Sequence, residues 1–445
     1  MLRKFLVGTL TGGMLLAAVA GSVLAAGGNL DPSFGTSGKV LTDFNNSTDI
    51  ANAVAVQADG KYVVVGFTYT NNDSSGEDFA IARYNADGTL DSTFGGQGKV
   101  TTDFPGLAAE ASSVVIQPDG KIVVAGGAFP LFTFLGNVEI VRYNADGSLD
   151  GSFGSGGIVT THFPGGQGSY ASAVTLQPDG KIVAAGTHYV NFSSDVNSDT
   201  DFALARYNAN GTPDVSFGTN GLVTTDFNHF NDDAFSILVQ PDGRLVAVGS
   251  ATTQTTSSDF AAARYLSNGS LDPSFGNAGK VRTDFGSSGF DQARSATIQS
   301  DGKIVAAGTT ISPNGGTQLF ALVRYNSNGV LDRTFSGDGR QTVDFGSCCQ
   351  SAYKVLLQAD GKIVAVGYPN TESSDSDFLL ARTNSNGQLD TTFGTGGKVR
   401  TSFGNLNGGA NGAVLEPDGK VVAVGFQATN TSRSSEFALA RYLMN

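Results

Sequence analysis

"ADGTLDSTFGGQGKV", residues 86–100, carries a glycine-rich run, two acidic residues and a closing lysine, the outline of a loop with chemistry in it. The same outline stands at 267–281 as "SNGSLDPSFGNAGKV" and at 385–399 as "SNGQLDTTFGTGGKV". Its centre, Leu-Asp-x-x-Phe, places aspartates at Asp31, Asp91, Asp150, Asp214, Asp272, Asp332 and Asp390, separated by 60, 59, 64, 58, 60 and 58 residues. A second element, Gln-x-Asp-Gly-Lys, puts aspartates at Asp59, Asp119, Asp179, Asp242, Asp301, Asp360 and Asp418. A third, Asp-Phe-Ala-x-Ala-Arg-Tyr, puts arginines at Arg83, Arg142, Arg206, Arg264, Arg324, Arg382 and Arg441. Seven copies of a unit near 60 residues mean a repeat architecture, in which stacked units build the core.

Each unit reads as four strands. In the third, "YASAVTLQ" (170–177) alternates, "KIVAAGTH" (181–188) is a short apolar run, "DFALARYN" (201–208) alternates, and "GLVTTDF" (221–227) closes the unit. None has the length or the 3.6-residue period of a helix. "QPDGK" joins the first two strands with the residues of a type I turn and a glycine bulge. Four-stranded units in seven copies predict a single all-β domain, a seven-bladed β-propeller. A β-solenoid would show its period in about 20–30 residues. The phase of the repeat adds closure: Asn445 aligns with Asn268, and Gly28 with Gly269. Segment 38–44 is therefore expected to complete the blade that holds 410–443, leaving no free sheet edge.

The elements "LDxSFGxxGKV", "QPDGKIVAAG" and "DFALARYNADG" resemble the bacterial delta-60 repeat family. That resemblance covers essentially the whole chain after its first residues. It implies a β-propeller in secreted and cell-surface proteins and no particular activity. Pro213, Ser336 and Glu416 depart from the repeat where other units have Leu, Gly and Gln.

The first residues are set apart. Arg3 and Lys4 precede an apolar stretch that ends in small residues, so 1–25 is expected to be a signal peptide and 26–445 the propeller. The product is expected to be secreted, periplasmic or on the cell surface, with no transmembrane segment, and to be a monomer. A net charge of −13 repels phosphate backbones, so nucleic acid is a poor partner. Only two cysteines occur, Cys348 and Cys349. They form either a strained vicinal disulfide, since adjacent Cα atoms are closer than disulfide geometry prefers, or unpaired or intermolecular thiols.

A residue that recurs in every blade belongs to the scaffold, so Asp91 is expected to bridge amides at its turn and Phe94 to pack. The seven arginines are expected to pair with aspartates such as Asp43, Asp103 and Asp226 on the neighbouring fourth strand, or to cover an apolar face with their stems. Function is sought where the repeat breaks, in loops that emerge on one face. "GAFPLFTFLGNV" (127–138) offers Phe129, Leu131, Phe132, Phe134 and Leu135, and the next blade adds His188, Tyr189 and Phe192. These are the candidate binding residues for an extracellular protein or glycan. Asp49, Glu110, Asp232, Asp233 and Asp291 precede inner strands and are candidate calcium ligands at the channel mouth. The three histidines, His162, His188 and His229, share no metal spacing, and no nucleophile elbow occurs. The leading expectation is thus a binding scaffold with no catalytic residues and no required cofactor. The alternative is a calcium-assisted lyase or hydrolase.

Overall fold

The structure, a computed structural model, describes residues 27–44, 46–69, 76–130, 135–191, 199–253, 258–286, 289–312, 316–369, 377–404, 407–429 and 434–445. Segment 1–25 lies outside them. Among the described residues there are 28 strands and no helix, and so no helix long and apolar enough to cross a membrane.

The strands form seven four-stranded antiparallel sheets, set as blades in a ring. Six blades follow chain order from inner to outer strand. The third is Gly168–Leu176, Ile182–Asn191, Asp199–Tyr207 and Leu222–Thr225, close to its expected strands. The seventh runs Gly408–Leu415, Val421–Ala428 and Ser435–Tyr442, and takes its outer strand, Lys39–Thr42, from the other end of the sequence. Its register runs from Lys39 opposite Ala440 to Thr42 opposite Phe437. The expected closure is thus observed.

Blades are buried on both faces, which is why the third strand carries apolar residues at successive positions rather than alternate ones. Ser435–Tyr442 is buried along nearly its whole length. Most seams between blades repeat the same contacts. The Phe of the third strand meets the Phe that follows the fourth strand, as in Phe79–Phe104 and Phe202–Phe227, each with ring centroids 5.0 Å apart. The Tyr that ends the third strand reaches the preceding blade's outer strand, as in Tyr84 to Thr42 at 2.8 Å and Tyr265 to Thr225 at 2.8 Å.

The opening stretch is structural. Asp91 Oδ1 accepts from the Thr93 amide at 3.1 Å and the Thr93 hydroxyl at 2.7 Å. Arg83 Nε donates to Asp91 Oδ2 at 2.8 Å, and its guanidinium lies 4.7 Å from the centroid of Phe94. Arg83 Nη1 then donates to the Ala145 carbonyl in the next blade. The same three contacts recur at Arg206, with Asp214 at 2.8 Å, Phe217 at 4.4 Å and the Ser267 carbonyl at 2.7 Å. This corrects the expected pairing with Asp43, Asp103 and Asp226. The chain folds back after the third strand, so the Asp91 amide donates to the Arg83 carbonyl at 2.9 Å and the two side chains meet. Lowered carboxylate pKa values follow: Asp332 and Asp390 are each held at about 2, despite a burial penalty, by hydrogen bonds at the turn and neighbouring cations.

Candidate functional site

The inner strands surround a central cavity of about 420 Å³ that all seven blades line. Every inner strand carries a β-bulge at the same place, just after a buried alanine. The extra residue is Asn52, Ser112, Ser172, Phe235, Arg294, Tyr353 or Asn411, and each lines the cavity. A bulge re-aims one side chain and leaves the rest of the register intact. The glycine of the second strand makes room for it: a Cβ on Gly66 would stand 1.9 Å from the Ile50 carbonyl oxygen.

Scaffold and variation meet at this position. The alanine before the bulge is kept in all seven blades, while the bulged residue differs. Asn52 and Asn411 close the ring locally, donating to the carbonyls of Ala111 and Ala51 at 3.0 Å each. Blades four to six depart most. Arg294 lies between two rings, 4.7 Å from the centroid of Phe235 and 5.4 Å from that of Tyr353. Tyr353 stacks on Tyr368 at 4.8 Å with the planes 11° apart. The next residue, Lys354, also lines the cavity, and burial alone lowers its ammonium pKa. Among the described residues neither cation lies within salt-bridge distance of a carboxylate, although Arg294 acts at longer range on Asp233, and Arg294 Nε is buried without a hydrogen-bond partner. Burial of an unpaired cation is costly, and this acidic protein keeps two half-buried cations on the wall of its axial cavity. The signal for these residues was present in the sequence, as a variable position inside a constant strand, but attention to loops alone passes over it.

The candidate loop residues divide. Leu131, Phe132, Phe134 and Phe192 lie outside the described residues. Phe129 and Leu135 are half-buried, and Phe129 stands edge-on to Tyr170 at 6.3 Å, on the cavity wall. Tyr189 lies 6.1 Å from Tyr170 and so joins this group. His188 is buried, its Nδ1 is 3.2 Å from the Gly168 carbonyl, and its ring packs 5.5 Å from Phe163. Cys348 and Cys349 are free thiols.

The candidate calcium ligands Asp49, Glu110, Asp233 and Asp291 are not brought together as one group. Asp49 Oδ2 accepts the Phe44 amide at 2.7 Å, and Asp291 Oδ2 the Phe285 amide at 2.9 Å. Each thereby ties down the link between blades, and burial pushes each carboxyl up to about 6. Glu110 is pushed up to about 7 by burial and by Glu77. Asp233 accepts the Thr187 hydroxyl at 2.9 Å. Larger hollows of about 480 to 630 Å³ lie between neighbouring blades and are lined by turns and outer strands.

Among solved structures the chain is similar to a protein of unknown function from Dyadobacter fermentans, at 11% identity and a TM-score of 0.53 over 93% of this chain and 100% of that one. It is also similar to Penicillium chrysogenum α-L-arabinanase, crystallised with arabinobiose, at 10% identity and a TM-score of 0.47 over 94% and 97% of the two chains. At such identities the likeness is one of fold. No curated protein matches. A family described as a domain of unknown function (DUF5122) β-propeller matches residues 57–94, 117–153, 177–217, 240–275, 299–335 and 358–393. Each match runs from the Gln of the first turn to the Phe of Leu-Asp-x-x-Phe, and in the seventh blade these two features stand at 416 and 34, at opposite ends of the chain. Six contiguous copies and one divided between the ends account for the ring, and the chain belongs to this β-propeller family.

Proposed function

We propose that the chain is a secreted binding propeller whose ligand is a glycan carrying an acidic group, taken into the central cavity from the face that bears the variable loops. The observation that carries this reading is the pair Arg294 and Lys354, two cations on the cavity wall with no ion-pair partner among the described residues. A carboxylate or sulfate would supply charge-assisted hydrogen bonds to both. The rings of Phe235, Tyr353 and Tyr170 offer flat apolar surface for the non-polar faces of sugar rings. The cavity falls within the roughly 300–1,000 Å³ common for ligand pockets.

The test is calorimetric titration with acidic oligosaccharides and neutral ones of the same length. Binding of acidic chains only, weakened at least tenfold by Arg294→Ala and by Lys354→Ala with unchanged melting, supports the reading. Equal binding of neutral chains, or indifference to both substitutions, would refute it.

A further inference from the structure

The seam between blades three and four carries three aspartates. Asp201 sits on the third strand, Asp226 just after the fourth, and Asp232 at the start of the next inner strand. One oxygen of each lies within 4.8 Å of the others. The seam between blades four and five repeats the arrangement with Asp259, Asp284 and Asp291. The repeat therefore supplies its own control.

The two seams differ in what satisfies the charge. Asp291 is bonded through both oxygens, Oδ2 to the Phe285 amide at 2.9 Å and Oδ1 to the Thr310 hydroxyl at 2.6 Å. Asp49 is held in the same way by Phe44 and Thr68. Asp232 keeps only half of this device, since its Oδ2 accepts the Phe227 amide at 2.5 Å. Its cross-strand partner is Ala251, with no hydroxyl to give. Oδ1 of Asp232 is therefore left without a hydrogen bond in a fully buried residue. The second difference is on the outer strand. Arg282 reaches Asp259 at 2.5 Å in blade four, and the equivalent residue in blade three is Thr224. Buried oxygens of Asp199 and Asn231, beside this seam, also lack partners. Two basic side chains stand beside Asp226: the His229 imidazole Nδ1 lies 2.9 Å from its carboxylate, and Lys280 donates to its backbone carbonyl at 2.9 Å.

We infer that Asp201, Asp226 and Asp232 form a site for a hard divalent cation, calcium, that bridges blades three and four. The donors are all carboxylate oxygens, the set calcium prefers, and water would complete its shell. The cation does for this seam what Arg282 and Thr310 do for the next.

The experiment titrates calcium chloride into the chelator-treated chain at slightly alkaline pH, by calorimetry and thermal melting. The expected result is one site tighter than about 1 mM, with a melting temperature raised by calcium and lowered again by chelator. Asp201→Asn should abolish both. Thr224→Arg keeps every carboxylate and copies the neighbouring blade, so it should fold, melt higher without calcium and bind none. No saturable binding by the unmodified chain, or calcium affinity unchanged in Thr224→Arg, would overturn the assignment. Neither outcome bears on Arg294 and Lys354, which face the axis.

Discussion

The hydroxyl of Tyr62 in blade one donates to the carboxylate of Glu416 in blade seven, across the seam where the ring closes. Both residues break the repeat: other blades carry Ile, Leu or Val where Tyr62 stands, and Gln where Glu416 stands. Arg441 Nη1 donates to the same Tyr62 oxygen at 3.2 Å. The closing seam thus has a hydrogen-bonded set of its own.

Burial raises the Glu416 carboxyl to about 7, with Arg441 opposing the shift. Because the folded value lies above the ordinary 4.5, the folded chain binds a proton that the unfolded chain lacks between those values. Stability contributed by the protonated group is complete below about 4.5 and falls as pH rises towards 7. Glu416→Gln should therefore gain on the order of 1–3 kcal/mol at pH 8 and almost nothing at pH 4.5. Denaturant curves at the two pH values check this, and equal gains at both would contradict it.

Ser336 holds φ at +52° where the equivalent residues are glycines, such as Gly95 at +56°. In those blades a Cβ at the glycine would stand about 2.5 Å from a valine methyl, as for Gly95 and Val100. In blade five that valine is replaced by Gln341, and the Ser336 hydroxyl donates to its side-chain oxygen at 3.0 Å. Gln341→Val alone should destabilise by about 1–3 kcal/mol through overpacking. Adding Ser336→Gly should restore the loss and relieve the left-handed strain. Additive effects of the two substitutions would deny that they are coupled.

Blade six ends its third strand in Thr383 where six blades have Tyr, and the facing residue of blade five is Val343 where the others have Thr. Thr383 is fully buried and its hydroxyl has no partner. Restoring one side only, with Val343→Thr, should add a second unpaired hydroxyl and cost about 1–3 kcal/mol. The double change Thr383→Tyr with Val343→Thr should recover about 1 kcal/mol of that through the hydrogen bond seen at the other seams. A double-mutant cycle measures the coupling, and a value of zero would mean that the pair varies independently.

Removing residues 27–44 takes away the outer strand Lys39–Thr42 and with it the four-residue pairing to Phe437–Ala440. The exposed edge should make the product associate, which light scattering would detect. A monomer with unaltered melting would show that closure adds little.

Seven copies, four strands in each and the joining of the two ends were legible because they are written in spacing along the chain. Turn residues such as Pro118 and Gly120 act locally, and a strand's alternation needs no knowledge of its neighbours. Partners were not legible. Tyr62 and Glu416 are 354 residues apart, and only the closing of the ring puts them in contact. Asp91 was recognisable as a turn residue, but its arginine was not, because the fold-back after the third strand decides which carboxylate Arg83 meets. The axis was hidden for a different reason. Strict alternation assigns each inner-strand residue to one face, and one bulge per strand overrides that assignment and sets Arg294 between Phe235 and Tyr353. A departure from the repeat is visible in one dimension. What it faces depends on packing across a seam, and packing is set by contacts between residues that the chain keeps far apart.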